Sequence, residues 1–197
     1  MSAPLEALSR LLPPPAGPVA GPPWERSKAE CGFEFPTDYR AFVERYGGGK
    51  ILVGPDEWPV TVMSPCSVPW APGRPSGFAE YMFQVENLEL GHEMNQWDGP
   101  DSADWTGPYY PDLPEPGGLL PWGHSPDGDT LYWSTVDQDP ERWPVVMLAR
   151  GPAVVLPFDG GMVDFLLAVL GGEHFASQWM TDPVIRWRQD SDWLQRT

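Results

Sequence analysis

Leu119-Leu120-Pro121-Trp122-Gly123-His124, Ser125-Pro126-Asp127-Gly128-Asp129 and Thr130-Leu131-Tyr132-Trp133-Ser134-Thr135 follow one another without a break, and their reading decides the fold. The outer two are apolar, aromatic-rich runs of strand length. The middle one supplies Pro, Asp and Gly in the order of a tight turn, because proline presets φ, Asp bonds its own backbone and Gly accepts positive φ. Two antiparallel strands joined by a turn are expected. Val136 to Glu141 then reads as an acidic loop, and Trp143 to Ala149 and Ala153 to Phe158 read as two further strands around Arg150-Gly151-Pro152. The result is a four-stranded antiparallel meander.

Helical periodicity flanks these strands. After Pro36, whose fixed φ suits a first helical turn, Tyr39, Phe42, Val43 and Tyr46 recur at i, i+3, i+4 and i+7. Asp38 complements that helix's dipole, Gly47-Gly48-Gly49 ends it, and Ile51-Leu52-Val53 begins a strand. At the other end Asp159 is expected to cap a helix with Met162, Phe165, Leu166, Val169 and Leu170 on one face, stopped by Gly171-Gly172. Trp58 to Met63 reads as a strand, Tyr81 to Val85 as a strand or the approach to a helix at Val85 to Met94, and Pro100 to Gly118 as a loop. Near the start, Leu5, Leu8, Leu11 and Leu12 form the stripe of a short helix over Pro4 to Leu12. The Pro-rich strap Pro13 to Pro23 and a second helix over Trp24 to Cys31 follow. The chain is therefore expected to be α+β, a single domain with a mainly antiparallel sheet flanked by N- and C-terminal helices. Residues 1–23 form a helix and strap, 24–172 the domain proper, and 173–197 a Trp-rich extension packing back on it.

Phe35-Pro36-Thr37-Asp38-Tyr39-Arg40-Ala41-Phe42, the triple glycine, Gly128-Asp129-Thr130-Leu131-Tyr132-Trp133, Trp143-Pro144-Val145-Val146 and Phe158-Asp159-Gly160 before a Phe-Leu-Leu helix occur in an order and spacing that resemble the SUKH superfamily. That family contains fungal cell-wall synthesis regulators and bacterial toxin-immunity proteins. The resemblance covers Trp24 to Gly172 and implies an α+β domain whose Tyr and Phe stripe packs into the core and whose work is binding rather than catalysis.

At 197 residues, with 41% hydrophobic residues and 11 Trp, the chain can bury one substantial core despite 26 Pro and 21 Gly. It contains no apolar run of membrane-spanning length and no basic-then-apolar leader, so a cytoplasmic protein is expected. Cys31 and Cys66 are too few for a disulfide framework and read as reduced fillers.

The charge is regional. Of the formal −16, the stretch from Gly54 to Glu141 holds −15, with 16 acids against the single base Arg74, while the two ends together are almost neutral. Such a field repels phosphate, which argues against nucleic-acid and anionic-membrane partners and favours a basic protein. Trp97, Trp105, Tyr109 and Tyr110 alternate with Asp98, Asp101, Asp104 and Asp112. Aromatic anchors beside carboxylates suit a surface for a cationic partner, and the competing reading folds the same aromatics inward to pin the loop.

Chemistry is sparse. Asp127 with Asp129, and Asp137 with Asp139, stand two apart in loops, where such pairs either share a hard cation or hydrogen-bond their own turns; with no twelve-residue calcium loop around them, the turn reading is preferred. His92, His124 and His174 have no metal-ligand spacing, the serines lack a Gly-x-Ser-x-Gly elbow, and Gly47-Gly48-Gly49 follows a helix rather than opening one. No catalytic, cofactor or metal site is expected. The expectation is a non-enzymatic binding protein, monomer or weak dimer. Its role would be that of an immunity protein masking a basic, nuclease-like toxin through Trp97 to Asp112, Asp127, Asp129, Asp137 and Asp139. The alternative is a regulatory scaffold of the same fold binding a cellular protein.

Overall fold

The computed structural model of the protein describes residues 2–55, 57–64, 110–111, 115–149 and 154–190, less the side chains of 30, 31 and 58. The expected elements over Tyr81 to Met94 and most of the loop Pro100 to Gly118 lie outside these residues.

The meander extends from its β3 end into a seven-stranded sheet. In chain order the strands are β1 Gly49–Val53, β2 Glu57–Val62, β3 Leu119–His124, β4 Thr130–Ser134, β5 Val145–Ala149, β6 Val154–Phe158 and β7 Ile185–Gln189. They line up as β6-β5-β4-β3-β2-β1-β7, every neighbouring pair antiparallel. The fold is therefore α+β, with helices α1 Ala3–Leu11, α2 Trp24–Cys31, α3 Thr37–Tyr46 and α4 Met162–Gly171.

Alternation along the strands sorts two apolar layers. Ile51, Val60, Val62, Leu120, Trp122, Leu131, Trp133, Val145, Met147 and Ala149 join the buried faces of α1, α3 and α4 in one core. On the opposite face Leu119, Tyr132, Val146 and Leu148 form a second buried cluster, against which Tyr110 and Val155 pack. That explains why β5 is buried at every position rather than at alternate ones, since a sheet covered on both sides needs no polar face.

The N-terminal helix belongs to this core. Leu5, Leu8 and Leu12 are at most 1% exposed and sit in the same cluster as Tyr39 and Phe165. The Tyr46 hydroxyl fastens the strap's start by donating to Leu12 O at 2.7 Å. The tail is likewise built in. Beyond a 3₁₀ turn, Phe175–Trp179, β7 pairs with β1 from Gly49↔Gln189 to Val53↔Ile185, and Trp187 Nε1 donates to Tyr46 O at 2.8 Å. The residues read from sequence as an appended extension thus supply an edge strand.

Two local expectations change. Only Gly47 of the triple glycine takes the positive φ that ends α3, at φ +73° and ψ −174°, its N–H bonding Val43 O at 2.8 Å. Gly49 is already in β1, where a Cβ would collide with the carbonyl oxygen of Arg188 on β7. The second change is at α4, which Asp159 does not cap. Its N-cap is Gly161, and the acceptor comes from across the core: Asp38 Oδ2 receives the Val163 N–H at 3.0 Å while Asp38 Oδ1 receives the Tyr39 N–H at 2.6 Å. One carboxylate therefore serves the first turns of both α3 and α4, where exposed N–H groups and the helix dipole favour an acceptor.

Candidate functional site

The β3–β4 turn separates its two aspartates into different roles. Asp129 is buried: its Oδ2 accepts from Ser125 Oγ at 3.0 Å, its N–H donates to Ser125 Oγ at 3.1 Å, and Ser125 N–H donates to Asp129 O at 2.9 Å. Gly128, at φ +90°, completes the turn. Asp129 therefore builds the loop, whereas Asp127 is exposed on its outer side.

The β4–β5 loop uses its acids in a similar way. Asp137 Oδ1 accepts the Asp139 N–H at 2.9 Å, and Asp139 Oδ1 accepts the Glu141 N–H at 3.1 Å, capping the short turn Pro140–Arg142. Arg142 Nη1 donates to Asp137 Oδ2 at 3.3 Å. The Asp139 N–H first, and Arg142 with it, hold the Asp137 carboxyl below its ordinary range. Glu141 Oε1 receives the backbone N–H and hydroxyl of Thr37 at 2.7 and 2.5 Å, which ties this loop to the start of α3.

These two loops lie at opposite ends of β4, a strand of five residues, so roughly 13 Å or more of strand separates them. A cation shared by Asp127, Asp129, Asp137 and Asp139 is ruled out by that separation. Among the described residues no three His, Cys, Asp or Glu side chains gather as a metal site. Trp97, Asp98, Asp101, Asp104, Trp105, Tyr109 and Asp112 lie outside the described residues. Tyr110 follows the inward reading: it is half-buried against the outer-face cluster, and that burial pushes its hydroxyl pKa up.

Sequence reasoning missed a cleft of about 530 Å³ between β2, the β3–β4 turn and the segment entering β7. Glu57 and Pro59 form one wall, Ser125, Pro126 and Asp127 a second, and Gln178, Trp179 and Thr181 the third. Glu57 Oε2 accepts from the Thr181 hydroxyl at 2.9 Å, which fixes the carboxylate and joins two walls. Trp179 closes the 3₁₀ turn, with its inner side against the core. That turn is held by a reciprocal cap: His174 Nδ1 accepts the Ala176 N–H at 3.1 Å, and Ser177 Oγ accepts the His174 N–H at 3.2 Å. Nearby Arg186 is occupied elsewhere, donating to Gly54 O at 2.7 Å and Pro55 O at 3.1 Å. The cleft thus offers two carboxylates, an indole and proline rings, a combination suited to holding a cation with flat or apolar surroundings.

Only Asp127 of this set was marked by sequence. Glu57 and Trp179 come together with it through the two-residue pairing of β2 with β3, Thr61↔His124 and Val62↔Gly123, and through β7 pairing with β1. No protein-family model, curated protein or solved structure matches this chain.

Proposed function

We propose that the protein is a non-enzymatic, cytoplasmic binding module of SUKH type, an immunity protein that neutralises a basic toxin, such as a nuclease, by covering it one to one. The observation that carries this reading is the cleft: Asp127 is exposed and, among the described residues, meets no basic group, and with Glu57 and Trp179 it leaves an uncompensated acidic recess. The −15 carried between Gly54 and Glu141 supplies the long-range attraction that would steer a cationic partner towards it. Masking follows from the same charge, since a surface of this sign competes with nucleic acid for a basic cleft.

Co-expression with the product of the adjacent gene tests the reading, because an immunity gene lies beside its toxin gene. The expected result is a one-to-one complex that suppresses the partner's toxicity and whose association weakens as salt rises towards a Debye length of about 8 Å. A neighbour that is neither basic nor toxic, together with a salt-insensitive complex with a cellular protein, would overturn it in favour of a regulatory scaffold.

A further inference from the structure

We infer that the cleft between Glu57, Asp127 and Trp179 is the receptor for an arginine side chain presented by a loop of the partner. This deepens, and rests on, the reading of the protein as a binder of basic proteins.

Volume comes first. About 530 Å³ lies within the range of ligand pockets and exceeds what one side chain fills, so the recess can take a side chain together with the backbone that carries it. The lining is the second consideration. A guanidinium presents five N–H donors in a plane, and the walls offer acceptors in matching number: the Glu57 and Asp127 carboxylates and the Gln178 amide oxygen. Trp179 adds an aromatic face, on which a guanidinium both stacks and gains cation–π attraction, whereas an ammonium is held as a compact, strongly hydrated point charge. The rings of Pro59 and Pro126 suit the methylene stem.

A hard metal ion fits worse, because it asks for six or more oxygens and one of the two carboxylates is already engaged by Thr181.

The test uses the intact protein and a capped Gly-Arg-Gly peptide, with its citrulline and lysine counterparts. The Trp179 indole N–H signal is followed by NMR and assigned through Trp179→Phe. The expected result is a saturable shift with the arginine peptide, at least tenfold weaker binding by the citrulline and lysine peptides, and a loss of about fivefold in Asp127→Asn and again in Glu57→Gln. Asp159→Asn, beyond β6 at the opposite edge of the sheet, should leave binding unchanged. No shift, or equal shifts from arginine and citrulline, would overturn the inference. If the peptide fails while the salt-sensitive complex with the basic partner persists, the cleft assignment falls and the wider reading stands; if the peptide binds and no basic partner is found, the reverse holds.

Discussion

Gly161→Ala should destabilise the protein although alanine suits the backbone there. Gly161 has φ −79° and ψ 178°, extended geometry open to any residue, and replacing glycine at a compatible site ordinarily adds about 0.4–1 kcal/mol by restricting the unfolded chain. The added methyl, however, would stand 2.5 Å from Asp38 Oδ2 and 3.2 Å from Asp38 Cγ. That oxygen is the acceptor for the Val163 N–H, and the carboxylate's other oxygen holds the Tyr39 N–H. Asp38 therefore cannot turn aside without giving up a bond. Loss of such a helix-start acceptor costs about 0.5–2 kcal/mol, so the net change should be about 0.5 kcal/mol of lost stability, or a Tm lower by about 1–2 °C in a chain of this size. Urea unfolding followed by Trp fluorescence measures it. Because Asp38→Ala removes the same bond, the double variant should be about 1 kcal/mol more stable than the sum of the single effects predicts. A Gly161→Ala cost that is equal with and without Asp38 would refute the reasoning.

The same carboxylate sets a pH signature. Burial dominates and pushes Asp38 above its ordinary range, outweighing the Val163 and Tyr39 N–H groups that pull it down. A folded pKa above the unfolded one means that this contribution is complete below the unfolded value, 3.8, and fades as pH rises through the folded value. The stability advantage of the protein over Asp38→Asn should therefore shrink from about pH 3.5 to 7; an advantage that grows over that interval would contradict the sign. Gly49→Ala should drive β7 from β1, since the methyl meets the Arg188 carbonyl, with Gln189 Cα only 2.9 Å away. Overpacking of this kind costs about 1–3 kcal/mol, and amide exchange at Ile185–Gln189 should quicken before that of the meander. His174 must be neutral at Nδ1 to accept the Ala176 N–H, and burial holds its pKa below 6.5. That contribution is present above the unfolded pKa and lost as pH falls through the folded one, so thermal melts of His174→Asn should depend less on pH between about 7 and 5.

What was legible in the sequence is local. Strand alternation and turn chemistry give β3 to β6, and the i, i+3, i+4 stripes give α1, α3 and α4, because each signal lies within a dozen residues of itself. The pairing of β7 with β1 was not legible: Arg186, Trp187 and Arg188 read as part of a Trp-rich tail packing back on the body, and only the tertiary register with Gly49–Val53 makes them an edge strand. The cap on α4 failed for the same reason. Asp159 stands in the right place along the chain, yet the acceptor is Asp38, 125 residues before the Val163 whose N–H it receives. The cleft combines both difficulties, since Glu57, Asp127 and Trp179 belong to three segments that approach only once the sheet has formed.

Counting acids overstates the charge available for recognition, and the loops allow that to be tested. Asp137, Asp139 and Glu141 accept backbone N–H groups of a turn or helix start, and Asp129 accepts the Ser125 hydroxyl of its own turn, so much of their role is to satisfy local donors that would otherwise go unmet. Asp127 sits two residues from Asp129 in the same turn, but it faces the cleft. Stability and partner affinity should therefore separate between these neighbours. Asp129→Ala leaves the Ser125 O–H without its carboxylate acceptor in a buried turn, although Ser125 Oγ still receives the residue-129 N–H, and should cost about 1–3 kcal/mol of folding stability. Asp127→Asn should change stability by no more than about 0.5 kcal/mol yet weaken the basic partner about fivefold, read by calorimetry at fixed salt. If recognition depended on net charge alone, the two substitutions, each removing one negative charge, would weaken the partner equally, and that equality would remove the cleft's special standing.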